Sequence, residues 1–207
     1  MSAAPRPAIR PANAVGDESV SETAAGAEES WGPLDGLPGN PMMWILILGE
    51  LAVFGALLTG FSVARALDPS AFAASQGHLH VMLGSVNTLV LLSSGWLAAV
   101  ALEQVHRGGS GRLALVGAMA SGAVFVAVKA IEYADLASAG YGLEGDRFFT
   151  LYFLITGFHA LHVIMGIAVL GVVAIWNEAC NVETGTAFWH MVDLIWLLVF
   201  PIVYLVR

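Results

Sequence analysis

From Met42 onward, blocks of apolar residues long enough to cross a bilayer alternate with short polar breaks. No other feature narrows the possible folds so far. A helix needs about 20 residues to traverse the hydrocarbon core. Five blocks meet that length, at roughly 42–66, 81–105, 112–134, 148–176 and 186–206. The breaks are "DPSAFAASQGH", "HRGGSGR", "ADLASAGYGLEGDR" and "NEACNVETG", each carrying turn or capping residues. Lipid offers the backbone no hydrogen-bond partners, so only helices or closed barrels span it. Period-two alternation is absent, and the blocks read as helices. The fold class is therefore all-α, a polytopic bundle of five transmembrane helices over residues 41–207.

Composition agrees. Of 207 residues, 57% are hydrophobic and 12% charged, with a mean hydropathy of +0.77. Soluble domains carry about a quarter charged residues. The basic residues are scattered, which excludes a nucleic-acid footprint. Cys180 is the single cysteine, so an internal disulfide framework and any Cys-pair metal or redox motif are excluded. It reads as a bland residue in a short loop. Residues 1–40 are rich in Ala, Pro, Ser and acids without an apolar block, which predicts a disordered tail. Lacking the apolar stretch of a secretory signal, that tail is expected in the mature protein. A cytoplasmic N-terminus places Arg6, Arg10, Arg107 and Arg112 inside, against Arg147 and Arg207 outside, a small positive-inside bias.

Small residues recur at helical spacing. Ala52, Ala56 and Gly60 do so on the first block, Ala118 and Gly122 on the third. Such stripes let helix backbones approach where water supplies no drive, and both are expected to pack.

Ionisable residues at membrane depth are functional candidates by default. Glu50 in "WILILGELAVFGALL" lies about eight residues into its helix, roughly 12 Å along the axis. Two readings stay open: a proton-exchanging or reactive carboxyl, or a protonated carboxyl donating one interhelical hydrogen bond. Lys129 and Glu132 are three apart and can pair. With Tyr133 after them, they read as interfacial, snorkelling groups. In "FLITGFHALHVIMG", Thr156, His159, Val163 and Gly166 share a stripe with His162 beside it. In "FWHMVDLIWLLVF", His190 and Asp193 are three apart. A carboxylate or imidazole stranded in lipid must be paired, so His159 or His162 is expected to face a polar stripe on another helix. Metal binding is disfavoured, because His159 and His162 lack the i, i+4 spacing of a helical metal pair and five packed spans leave no slot for haem.

Taken in order, these fragments resemble subunit III of the haem-copper oxidases over residues 38–207. "ILILGELAVFGALL" resembles the family helix with a carbodiimide-reactive glutamate, which would be Glu50. "GSVNTLVLLSSGW" is similar to the next helix's pattern, giving Asn87, Thr88 and Ser93. "VAVKAIEY" resembles the family's Glu-Tyr helix end, here Glu132 and Tyr133. "TGFHALHVIMG" and "FWHMVDLIWLLVF" match two further family signatures.

The resemblance implies a non-catalytic subunit with no redox cofactor of its own. It would sit beside a catalytic subunit that holds haem and copper, bind phospholipid, and support proton uptake and durability. It also implies a multi-pass protein of the bacterial inner membrane. His159, His162, His190 and Asp193 become buried structural groups. The mitochondrial form has two more helices, which wall its lipid cleft, so that cleft carries over only in part. "LPGNPMMW" before "GELAVF" looks most similar to the branch associated with nitric oxide reductases, which is the alternative. Two other classes compete: a proton-coupled transporter using Glu50, opposed by the absence of internal repeats, and a membrane enzyme with a histidine-bound metal.

Overall fold

The computed structural model describes residues 41–206; the expected tail over residues 1–40, with Arg6 and Arg10, and Arg207 lie outside them. The elements are α1 (Pro41–Leu67), α2 (Pro69–Gln76), α3 (Val81–His106), α4 (Arg112–Ser138), α5 (Arg147–Ile175) and α6 (Ala179–Phe200). A π-helical turn, Pro201–Leu205, extends α6. Among the described residues, five helices are long and apolar enough to cross a membrane. The all-α reading holds.

Element ends follow from local chemistry. Between α1 and α2, Asp68 caps the N-terminus of α2, its carboxyl accepting from the Ala71 amide at 3.3 Å, and Pro69 follows in the first turn. Proline suits that position because its missing N–H is unneeded there. Gly108 and Gly140 take positive φ, 77° and 86°, in the left-handed turns that close α3 and α4. Pro201 lacks the N–H that would continue the α pattern, and the backbone widens into the π turn.

Three expectations are corrected here. The break "DPSAFAASQGH" contains α2, a helix of eight residues, too short and weakly apolar to register as a block. The break "NEACNVETG" is mostly helix, because α6 starts at Ala179. Cys180 therefore sits in the first turn of α6, exposed, and not in a loop.

Helices α3, α4, α5 and α6 pack as a closed ring, and α1 leans on α5 and α6 from outside. Trp189 of α6 is fully buried within the ring. A Cβ at Gly122 would come within 2.6 Å of its indole, and one at Gly166 within 2.7 Å. Glycine at both positions lets α4 and α5 close on the ring. The Trp189 N–H donates to Ser94 Oγ at 3.0 Å, and Ser94 donates to the Ala118 carbonyl at 2.8 Å. The small-residue stripe of α4 thus packs as expected. The stripe of α1 does not: Ala52, Ala56 and Gly60 face outward. Met43, Ile47, Phe54, Leu58 and Phe61 form the buried face of α1 instead, because bulky side chains recover more contact against a loosely apposed helix.

Candidate functional site

The intramembrane polar residues fall into three separate places. In the first, Lys129 and Glu132 are both buried, which corrects the interfacial reading. Lys129 Nζ donates to Glu132 Oε2, Tyr152 OH and Tyr204 OH, each at 2.9 Å. An ammonium has three donors, and all three are used. Tyr204 donates to Glu132 Oε1 at 2.9 Å. Its single proton is thereby spent, so Tyr152 donates in the 3.1 Å contact between the two phenols.

Four rings surround the ammonium, those of Tyr152 at 4.9 Å, Tyr133 at 5.0 Å, and Trp196 and Tyr204 at 5.5 Å. The rings of Tyr133 and Trp196, which take no hydrogen bond from it, add a cation–π attraction of about 0.5 to 2 kcal/mol. Beside this knot Thr156 donates to the Tyr152 carbonyl at 2.6 Å, and Tyr133 therefore donates to Thr156 Oγ1 at 2.7 Å. The network ties α4, α5 and the π turn together.

Tyr152 and Tyr204 were not among the candidates read from the sequence. A signal existed: a phenol within an apolar run needs a partner when buried, and "LYFLITG" and "PIVYLV" each carry one.

In the second place, His162 Nε2 lies 3.1 Å from Glu50 Oε2, joining α5 to α1. The contact is within ion-pair reach but lacks hydrogen-bond alignment. His162 Nδ1 is 2.8 Å from the Phe158 carbonyl, which can only accept, so Nδ1 carries a proton. One further proton suffices for the pair, either on the Glu50 carboxyl or on Nε2. Both arrangements leave the pair neutral overall. The Glu50 side chain is 27% exposed, so the pair sits at the bundle's edge.

His159 is fully buried, yet neither ring nitrogen has a hydrogen-bond partner among the described residues. It stacks on Trp196 at 5.3 Å and meets the edge of Phe125 at 5.6 Å. Aromatic packing holds it. Asn87 is buried and donates to the Phe125 carbonyl at 3.3 Å. Thr88 accepts from Trp196 Nε1 at 3.0 Å, whereas Ser93 is exposed.

The third place is Asp193, 7% exposed, with neither carboxyl oxygen hydrogen-bonded among the described residues. Of the two α5 histidines expected to face a polar group on another helix, His162 does so, at Glu50 of α1, while His159 turns to Trp196 and neither pairs with Asp193. His190 is exposed, which corrects its expected burial. Among the described residues, no group of three or more His, Cys, Asp or Glu side chains is placed to hold a metal ion.

The family described as Cytochrome c oxidase subunit III matches residues 43–206. Subunit 3 of cytochrome c oxidase from Thermostichus vulcanus is 30% identical over 78% of this chain and 84% of its own length. Subunit 3 of the cytochrome bo(3) ubiquinol oxidase of Pseudomonas aeruginosa is likewise 30% identical, over 78% and 82%. A haem-copper oxidase subunit I+III of Aeropyrum pernix is 31% identical over 79% of this chain but only 22% of that larger protein. These relatives are oxidase subunits, and the nitric oxide reductase alternative is not favoured. With the family match running from the start of α1 through the π turn, this multi-pass membrane chain belongs to the cytochrome c oxidase subunit III family.

Proposed function

We infer that this chain is the non-catalytic membrane subunit of a haem-copper oxidase, packed beside a separate catalytic subunit that carries haem and copper. The observation that carries the reading is where the polar groups go. Lys129, Glu132, Tyr133, Tyr152, Thr156 and Tyr204 satisfy one another, so the bundle is braced internally and offers no reacting centre there. The fused relative, named for subunits I and III together, supports association of the two.

On this reading the bundle resides in a bacterial inner membrane, N-terminus in the cytoplasm, and supports proton uptake and durability of its partner. Glu50 is the accessible intramembrane carboxyl, and phospholipid fills the outer faces. Asn87, His159 and His162 are structural, while His190 and Asp193 lie where α3 and α6 meet the outside. Affinity purification of the tagged chain from native membranes tests the reading. Recovery of a haem-bearing oxidase subunit is expected, and repeated recovery without one would overturn it.

A further inference from the structure

Between α3 and α6 runs a groove of about 390 Å³, lined by Leu92, Gly95, Trp96, His190, Asp193 and Leu197 among others. Its leucines and Trp96 are exposed, as apolar side chains facing lipid should be, and their exposure alone points to nothing. Asp193 is different. Its carboxyl lies against the bare Cα of Gly95, so close that a Cβ there would collide with Oδ2. Both oxygens lack a donor among the described residues.

Asp193 is 14 residues after Ala179 and 12 before Leu205 in the span Ala179–Leu205, which places it about 21 Å and about 18 Å from the two ends. The hydrocarbon core is about 30 Å thick. A lipid headgroup, or the water around it, does not extend to that depth. His190 Nδ1 lies on the same side of Gly95 but makes no bond to the carboxyl, which leaves a neighbouring protein as the source of a donor.

We propose that this groove is the seat of a transmembrane helix of the catalytic subunit, one of whose side chains donates a hydrogen bond to Asp193. Both carboxyl oxygens are covered in the isolated chain, so a rim side chain must turn aside to admit the donor, and an acceptor beside the groove selects a donor-bearing residue such as Asn, Gln, Ser, Thr or Arg. A purely apolar helix would leave the carboxyl stranded. Gly95 serves the same end, because any larger residue would displace the acceptor. His190, one turn earlier on the rim, lies beside the incoming helix. This inference rests on the reading of the chain as an oxidase subunit.

The test uses the whole chain in its native membrane. Haem recovered per tagged subunit is measured for wild type, Asp193→Leu and Asp193→Asn. In parallel, a benzophenone photocross-linking residue replaces Leu197 on the rim, or Ile164 on α5 outside the groove. Asp193→Leu is expected to lower haem retention about three- to eighteen-fold, the range for interhelical hydrogen bonds in membranes. Asp193→Asn, which keeps an acceptor, is expected to retain most of it.

The Leu197 probe is expected to link to the haem-bearing subunit and the Ile164 probe not to. Unchanged retention in Asp193→Leu, or a Leu197 probe that links only to lipid or to a second copy, would overturn the groove while wild-type haem recovery left the oxidase reading standing. If Asp193→Leu does not accumulate, the cross-linking arm decides. Wild type that recovers no haem would bring down both.

Discussion

Lys129 and Asp193 are both ionisable, both buried, and both well inside their helices, yet their surroundings are opposite. Every donor of Lys129 is matched by a carboxylate or a phenol, and four aromatic rings close around it. Asp193 has no donor among the described residues and is buried beside a groove that opens to the outside. The difference teaches how to sort polar groups in a membrane protein. A closed network is spent on the fold, whereas an open acceptor is a demand on something else.

The comparison breaks most readily at Glu132. Glu132→Ala removes the countercharge of a buried ammonium, which typically costs about 3–5 kcal/mol. Thermal inactivation of the detergent-solubilised chain should show a large loss. Replacing the pair together, Lys129→Met with Glu132→Leu, should recover most of it, since apolar isosteres of a buried pair are often neutral. A single variant as stable as wild type would mean that water reaches the ammonium.

Gly166→Val tests the ring itself. The new Cβ would meet the Trp189 indole at 2.7 Å, and overpacking of this kind costs about 1–3 kcal/mol. The same melting assay should register it. Glu50→Gln probes the edge pair: it keeps a polar amide beside His162 Nε2 and removes the carboxyl, so stability should change by about 0.6 kcal/mol, the average for an interhelical hydrogen bond in a membrane. Labelling by a hydrophobic carbodiimide should disappear, and labelling that persists would remove Glu50 from its special position.

The smallest effect is expected at Asp193. Because no described residue pairs with it, Asp193→Leu in the isolated chain removes a buried unpaired carboxyl and should lose about 0 kcal/mol of stability. A loss well above that would reveal an internal partner for the carboxyl and erase the contrast with Lys129. The same substitution matters only once the catalytic subunit is present.

Much of this was legible beforehand, and the misreadings have physical causes. The spans were plain because lipid demands long apolar runs, and the stripe of Thr156, His159 and Val163 is buried as its spacing implied. Lys129 looked interfacial because the apolar block in the sequence ends near 134, whereas α4 runs on to Ser138. Its phenolic partners lie 23 and 75 residues away in sequence, and no local pattern announces them. The stripe of Ala52, Ala56 and Gly60 failed for a different reason, since small residues toward lipid and small residues toward a neighbour look alike in one dimension. His190 and Asp193 were both expected to be buried, but the bundle turns the first outward and leaves the second beside the groove.

The π turn carries a consequence for biogenesis. Arg65 near the end of α1 donates to the carbonyls of Ile202 and Val206, and Gln76 of α2 to those of Val203 and Val206. Arg65 leaves the ribosome 141 residues before Val206 does. Through that interval the first helix waits in the translocon's neighbourhood with its latch unset. Those bonds therefore close only after residues 201–206 have emerged, and a nascent chain stalled before Pro201 holds its first helix to α5 by the Glu50–His162 and Phe54–Phe158 contacts without them.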